Sequence, residues 1–260
     1  MQISIATWNL NTWINKARKR ISNEQLWTWA CTNLAADLYV FTEAQTPPPS
    51  ALKEQGWSWV HRPGGIPGVS KWGTVIAVNR RSGLSIEHIT CTGPASTYVV
   101  DQAFPGSLTA ARVRVADRVL ATVVGLYLPY RKDEKKNFIG HPIYDLSEMR
   151  GDINALTETE QVPLIVAGDL NYEYLDVPPS LQRIGSHDNE LVDPFKSRQL
   201  LTYEQEWGNR KRFKLDYIYL SQSLAKNAVS QRGGIQDFPT SLQVSDHAPL
   251  LVTLSITHAE

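Results

Sequence analysis

The stretch Pro163–Asn171, PLIVAGDLN, is an apolar run that stops abruptly at a carboxylate and a carboxamide two residues apart, Asp169 and Asn171. Buried strands deliver side chains rigidly, while Asp and Asn are poor strand formers that cost free energy on burial unless they are hydrogen-bonded or hold a ligand. Taken singly, GDLN reads equally as a strand running into an Asx-type turn. Its counterparts elsewhere change the balance: Asn9, Glu43, Tyr127, Asp216 and the consecutive Asp246 and His247 also stand at the ends of apolar stretches. Glu43 and the aspartates are hard oxygen donors suited to Mg²⁺ or Mn²⁺, and one motif histidine with no cysteine is too few soft ligands for structural zinc. Magnesium keeps most of its waters and takes one or two carboxylates, which leaves positions for phosphate oxygens.

Strands must place such groups. Ile3, Ile5 and Thr7 alternate with Gln2, Ser4 and Ala6 in a first strand ending at Trp8 and Asn9. Ser22 or Asn23 is a fitting N-cap for a helix through Glu24, Leu26, Trp27, Ala30 and Leu34. Leu38–Thr42 is a second buried strand, ending at Glu43. Leu164–Ala167 lacks polar alternation, the pattern of a strand buried on both faces, and Gly168 lets the backbone turn at its exit. Further strands are expected at Trp57–His61, Gly73–Asn79, Leu84–Ile89, Thr97–Val100, Leu108–Val115 and Val119–Leu128, the last two joined by a tight turn at Ala116, Asp117 and Arg118. Ile143, Leu146, Met149, Ile153 and Leu156 recur at a helical period within 143–159. A short helix is expected near Asp188–Val192, then strands at Leu215–Leu220, Ala228–Ser230 and Leu250–Ser255. Residues 1–260 read as one domain with two strand-rich halves, each with one helix-covered face.

At 260 residues, 42% hydrophobic and 9% aromatic, the chain can bury a sizeable core. No apolar run reaches about 18 residues. The opening MQISIATWNL is a strand pattern, so a soluble, cytoplasmic monomer with no membrane partner is expected. Cys31 and Cys91 lie in no zinc-like or CxxC spacing and read as reduced, structural residues. A formal net charge of zero argues against a protein that coats nucleic acid. Yet 12 of the 26 Lys and Arg fall in three windows, KARKR at 16–20, RKDEKK at 131–136 and RKRFK at 210–214, leaving 14 basic against 24 acidic residues elsewhere. Such runs are mostly solvated loops. All three adjoin motif-bearing strand ends, and together they would focus a polyanion on the cleft between them. Lys16, Arg18, Arg131, Lys132, Arg212 and Lys214 are therefore candidate substrate contacts.

TWNLN at Thr7–Asn11, FTE at Phe41–Glu43, GLYLP at Gly125–Pro129, GDLN at Gly168–Asn171, LDYIYL at Leu215–Leu220 and SDH at Ser245–His247 stand in one order along nearly the whole chain. Together they resemble the motifs of the endonuclease/exonuclease/phosphatase superfamily, and most of all its exonuclease III-type members. The resemblance implies an α+β fold, the four-layer α/β/β/α sandwich of DNase I-like proteins, and metal-dependent hydrolysis of phosphate esters with Mg²⁺ or Mn²⁺ as cofactor. It also implies roles. Glu43 resembles the principal metal ligand, with Asn9 helping to hold the metal or its water and Asp246 supporting the metal side. Asp169 resembles the residue that orients and deprotonates the attacking water, and Asn171 the one that hydrogen-bonds the scissile phosphate. His247, held by Asp216, would donate to a non-bridging phosphate oxygen. Tyr127 stands where exonuclease III-like members have a tyrosine, placed to hydrogen-bond the phosphate or aid the leaving oxygen.

Phe213, shortly before Leu215 and Asp216, matches an aromatic that lies near the abasic-sugar pocket in the exonuclease III-like branch and is a further candidate substrate contact, while Tyr130 replaces that branch's asparagine. Glu173 after GDLNY departs from the inositol 5-phosphatases, and a PAWCDR-type motif is absent. The leading reading is a nuclease acting on DNA. The alternatives are a phosphatase or phosphodiesterase for a small soluble phosphate ester, such as a phosphoinositide or nucleotide, and a catalytically silent binding module. Asp176 and Asp193 read as solvated loop residues, and Trp13 as packing.

Overall fold

The computed structural model describes residues 1–12, 21–46, 48–61, 72–89, 106–128, 130–132, 138–142, 162–172, 191–204 and 212–256, with backbone alone for Trp72, 130–132 and 138–142. Strands β1 (Gln2–Asn9), β2 (Leu38–Gln45), β3 (Trp57–His61) and β4 (Trp72–Asn79) come first, with helix α1 (Asn23–Asn33) between β1 and β2. Then follow β5 (Leu84–His88), β6 (Leu108–Val115), β7 (Arg118–Tyr127), the short β8 (Tyr130–Lys132) and β9 (Phe138–Pro142), and β10 (Leu164–Asp169). The chain continues through β11 (Leu191–Val192), β12 (Tyr203–Glu204), β13 (Arg212–Phe213) and β14 (Asp216–Ser221), and ends with β15 (Ala228–Gly233) and β16 (Leu250–Ser255).

Two six-stranded sheets result, in the orders β15-β16-β1-β2-β4-β3 and β11-β14-β10-β7-β6-β5. Each has the same centre. In the first, β1 and β2 are parallel, with β16 and β4 antiparallel on either side. In the second, β10 and β7 are parallel, flanked by antiparallel β14 and β6.

The inner faces of the two sheets share one apolar layer, in which Ile3, Ile5, Val40 and Ile76 pack with Val123, Ile165, Ala167 and Ile218. Gly125 marks a point of close approach, since a Cβ there would lie 2.6 Å from Thr74 Cγ2. The outer face of the first sheet carries Trp8, Tyr39, Phe41 and Val75 against Leu26, Trp27 and Ala30 of α1. This helix starts where the sequence places it: Ser22 Oγ accepts the Gln25 N–H, and the Gln25 side chain accepts the Ser22 N–H, a capping box.

Side chains alternate along a strand, so each inward face can be followed residue by residue. On β1 it runs Ile3, Ile5, Thr7, Asn9, and on β10 Ile165, Ala167, Asp169. The layer thus turns from aliphatic to hydroxylated to acidic at one end. Its hydroxyls are turned to backbone: Thr7 Oγ1 to the Val40 carbonyl at 3.0 Å, Thr74 Oγ1 to that of Ser107 at 2.9 Å and Thr109 Oγ1 to that of Thr74 at 2.8 Å.

Two expectations are corrected. Leu191 and Val192 form a strand rather than part of a helix, because they pair with Ser221 and Leu220 and cover the edge of β14. Strand β2 runs past Thr42 to Gln45, since a bulge between Phe41 and Ala44 restores its pairing with β4. The expected strand at 97–100 and helix at 143–159, like Cys91, Trp13 and Asp176, lie outside the described residues.

Candidate active site

Parallel β1 and β2 end at the edge of the sandwich where β7 and β10 also end, and antiparallel β14 begins there, with Asp216 opposite Asp169 in register. Two turns of the same build lead out of it. Asn9 Oδ1 accepts the Asn11 N–H at 2.9 Å, and Asp169 Oδ1 accepts the Asn171 N–H at 2.9 Å. Asn11 and Asn171 both take left-handed backbone, φ 45° and 50°, which asparagine tolerates better than most residues. The intervening Leu10 and Leu170 are buried, so N-L-N and D-L-N are one device used once by each sheet.

Asn9, expected to help hold a metal or its water, faces the carboxylates through its amide nitrogen. Its oxygen is taken by the Asn11 N–H, while its nitrogen bridges two carboxylates, 3.1 Å from Glu43 Oε1 and 2.8 Å from Asp169 Oδ2. An amide nitrogen orients carboxylates and cannot ligate a cation. Glu43 reaches the site from the bulge in β2, at φ 45°. Such a conformation costs about 1–3 kcal/mol, comparable to what one fully buried aliphatic side chain contributes; the shared core outweighs it. Thr12 Oγ1 donates to the Glu43 carbonyl at 2.5 Å, and Tyr127 hydrogen-bonds the Glu43 carboxylate. Asn171 Nδ2 donates to the Leu128 carbonyl at 2.7 Å.

His247 is fixed through backbone and ring. Trp8 Nε1 donates to its carbonyl at 2.8 Å, Ser245 Oγ accepts its N–H at 3.2 Å, and that same Oγ donates to the Asn9 carbonyl at 2.8 Å. Its Nδ1 lies 2.7 Å from Asp216 Oδ2, and its Nε2 points between Asp169 Oδ2 and Asp246 Oδ1, 3.9 Å from each. Thr202 Oγ1 accepts the Leu215 and Asp216 N–H groups, and Tyr203 lies against the imidazole at 4.9 Å between ring centres. Burial disfavours the imidazolium, but the charge and hydrogen bond of Asp216 outweigh it, with Asp169 and Asp246 adding, and raise the pKa to about 10. Asp169 and Glu43 are both pushed upward, chiefly by burial.

The donor set fits a hard cation. Asp169, Asp216 and His247 offer ligand atoms within 4.8 Å of one another; His247 Nδ1 and Asp216 Oδ2 are engaged with each other, while Asp216 Oδ1 is buried without a hydrogen-bond partner. Glu43 and Asp246 are partly exposed, whereas Asp169 is buried; among the described residues none of the three pairs with a lysine or arginine. Carboxylates gathered this way are stabilised by a divalent ion with oxygen ligands.

The basic candidates separate. Arg212 is half exposed and pairs with Glu204 at 2.7 Å, and Phe213 stacks on Tyr203 beside His247. Lys214 does not face substrate: it is 5% exposed, bonded to buried Asp193 at 2.5 Å and seated over the Tyr217 ring. Asp193 is thus an internal counterion rather than a solvated loop residue. Lys16 and Arg18, and the side chains of Arg131 and Lys132, lie outside the described residues. Asn11, which donates to Asp246 Oδ1 at 2.5 Å, is the residue that sequence reading overlooked; the repeat of N-L-N in D-L-N is the signal for it.

No protein-family model and no curated protein matches the chain. Solved structures do. The AP endonuclease LMAP from Leishmania major is similar at TM-score 0.68 and 17% identity, over 98% of this chain and 88% of that one. An AP endonuclease from Archaeoglobus fulgidus is similar at TM-score 0.64 and 16% identity, over 98% and 100%. The 3′ phosphatase NExo from Neisseria, bound to a product DNA hairpin, is similar at TM-score 0.61 and 16% identity, over 98% and 100%. The chain therefore has the DNase I-like α/β sandwich. This is the fold of the endonuclease/exonuclease/phosphatase superfamily that the six sequence motifs resemble.

Proposed function

We propose that the chain is a divalent-metal-dependent phosphodiesterase whose substrate is DNA, and that residues 1–260 act as a single unit and as a monomer. One observation carries the reading: Glu43, Asp169 and Asp246 converge without a lysine or arginine among the described residues, and a cationic imidazole points between two of them. Glu43 and Asp246 are the residues that would hold Mg²⁺ or Mn²⁺. When bound, the cation supplies Lewis-acid stabilisation of charge on the phosphoryl and leaving oxygens. Asp169, held through both oxygens by the Asn9 amide and the Asn171 N–H, takes the proton of a water attacking phosphorus in line. His247 donates its Nε2–H to a non-bridging phosphate oxygen, and Asp216 keeps it charged and oriented. Asn171 donates one amide hydrogen to Leu128 and the other to the phosphate. Tyr127, bonded to Glu43, steadies the metal side.

DNA is favoured over a small ester because the partly exposed Tyr203 and Phe213 make an aromatic ledge next to His247, suited to a stacked sugar or base. The solved neighbours named as AP endonucleases, and the phosphatase bound to a DNA product, support the same substrate class. The test is hydrolysis of single-stranded, double-stranded and abasic DNA, RNA and an inositol polyphosphate, with Mg²⁺, Mn²⁺ or EDTA. Metal-dependent DNA cleavage, abolished in Glu43→Ala and His247→Ala, is expected. Release of phosphate from the small ester alone would transfer the assignment to a phosphatase, and oligonucleotide binding without turnover would leave a binding module.

A further inference from the structure

His247 lies on the edge of a small three-stranded ribbon. Strand β12 pairs with β13, Tyr203 opposite Phe213 and Glu204 opposite Arg212. On its other side β12 runs antiparallel to the turn that carries the histidine, Tyr203 opposite His247. There the Glu204 N–H donates to the Asp246 carbonyl at 3.0 Å and the Ala248 N–H to that of Thr202 at 2.6 Å, which sets Glu204 beside Asp246. Two rows therefore cross the ribbon and end in the site: Phe213, Tyr203, His247 and Arg212, Glu204, Asp246. Like charges on neighbouring strands, as in Glu204 and Asp246, are unfavourable. Arg212 offsets them at the outer end of the row through Nε, 2.7 Å from Glu204 Oε2. That bond uses one of five N–H donors. Among the described residues nothing takes the Nη1 and Nη2 groups, and the Arg212 side chain is 50% exposed where that of Glu204 is 19% exposed. The braced guanidinium thus turns its open edge outward.

We infer that Arg212, braced by Glu204, grips a phosphate of the DNA a few nucleotides from the one that is cleaved. A planar fork with two open donors matches phosphate oxygens in pairs. Neighbouring strands lie about 4.8 Å apart, which over two steps sets Arg212 and His247 on backbones about 10 Å from each other. Along each strand of a duplex one phosphate follows another at about 3.4 Å of rise. The phosphate at Arg212 is therefore a different one from that at His247, and an ester with a single phosphate does not engage both. This assignment, which rests on the DNA reading above, gives that reading a residue. With Lys214 turned inward onto Asp193, Arg212 is the cation of the 210–214 run, among the described residues, that is open to a phosphate backbone. An exposed ion pair with no further role contributes little to stability and would leave DNA binding untouched.

The experiment is anisotropy titration of a labelled DNA duplex with the full chain, inactivated by His247→Asn, between about 50 and 200 mM salt. Adding Arg212→Gln should weaken binding about 10-fold. It should also make the slope of log affinity against log salt shallower by about 0.9, the release of one phosphate's counterion. Arg212→Lys, which keeps the charge and loses the fork, should restore the slope and only part of the affinity. Arg81→Gln removes the same charge beside the start of β2, at the end of the sheet away from the site, and should do neither. With His247 in place and metal present, the Arg212→Gln loss should fall in KM rather than kcat. Thermal melting checks that each variant keeps the fold. An unchanged slope in Arg212→Gln, an equal loss in Arg81→Gln, or Arg212→Lys indistinguishable from Arg212→Gln would overturn the inference and leave the phosphodiesterase reading intact. A native chain that cleaves no DNA with Mg²⁺ or Mn²⁺ and hydrolyses the small ester instead would remove the DNA reading and the inference together.

Discussion

His247 is gripped through its carbonyl, its N–H, its Nδ1 and its ring face, and the first and third of these grips carry predictions. Trp8→Phe removes the 2.8 Å indole bond and leaves a buried carbonyl unpaired, a loss of about 1–3 kcal/mol; urea unfolding measures it, and kcat should fall with little change in KM. Without metal, His247 ties stability to pH. Its folded pKa, about 10, lies above the unfolded value near about 6.5, so its stabilisation is complete below the lower value and disappears as pH climbs to the higher one. In EDTA, the native protein should lose melting temperature between these limits, and Asp216→Asn, lacking the charge that holds the imidazolium, should lose much less. Lys214→Met should destabilise by about 3–5 kcal/mol because Asp193 stays buried without its counterion. The salt dependence of DNA binding should be unmoved, as Lys214 contacts no phosphate.

The strands that carry the chemistry were legible because each ends on its reactive residue: β1 at Asn9, β7 at Tyr127 and β10 at Asp169. The cap of α1 at Ser22 was legible for the same local reason. What the sequence hid is set by pairing. The bulge that frees Glu43 depends on β4, the strand at Leu191 and Val192 exists only because β14 offers an edge, and the burial of Lys214 depends on Asp193, 21 residues earlier. Asn9 illustrates the limit well: its place was readable, but which amide atom faces the carboxylates follows from the turn at Asn11. Gly168, read as an exit turn, has φ 141°, and a Cβ would overlap the Leu126 carbonyl oxygen of the neighbouring strand. Gly168→Ala should therefore cost about 3 kcal/mol or more, seen as a lowered urea midpoint, and should displace Asp169 enough to reduce activity beyond the loss of folded protein.

A chain of zero net charge with clustered cations should bind DNA through a local field. Binding of the inactive His247→Asn variant to an oligonucleotide, followed by anisotropy, should weaken steeply between about 50 and 200 mM salt. A flat response would argue for a small substrate. The site draws Asn9 and Glu43 from one sheet and Asp169 and Asp216 from the other, over a single apolar layer. Glu43 and Asp246, which would hold the ion, both belong to the first sheet, but Asn9 ties Glu43 to Asp169 of the second, so an ion bound there would stabilise the closed sandwich over the unfolded chain. Raising the magnesium concentration then becomes a gauge of cohesion. The slope of melting temperature against its logarithm counts the ions released when the sheets separate, without any substrate being cut.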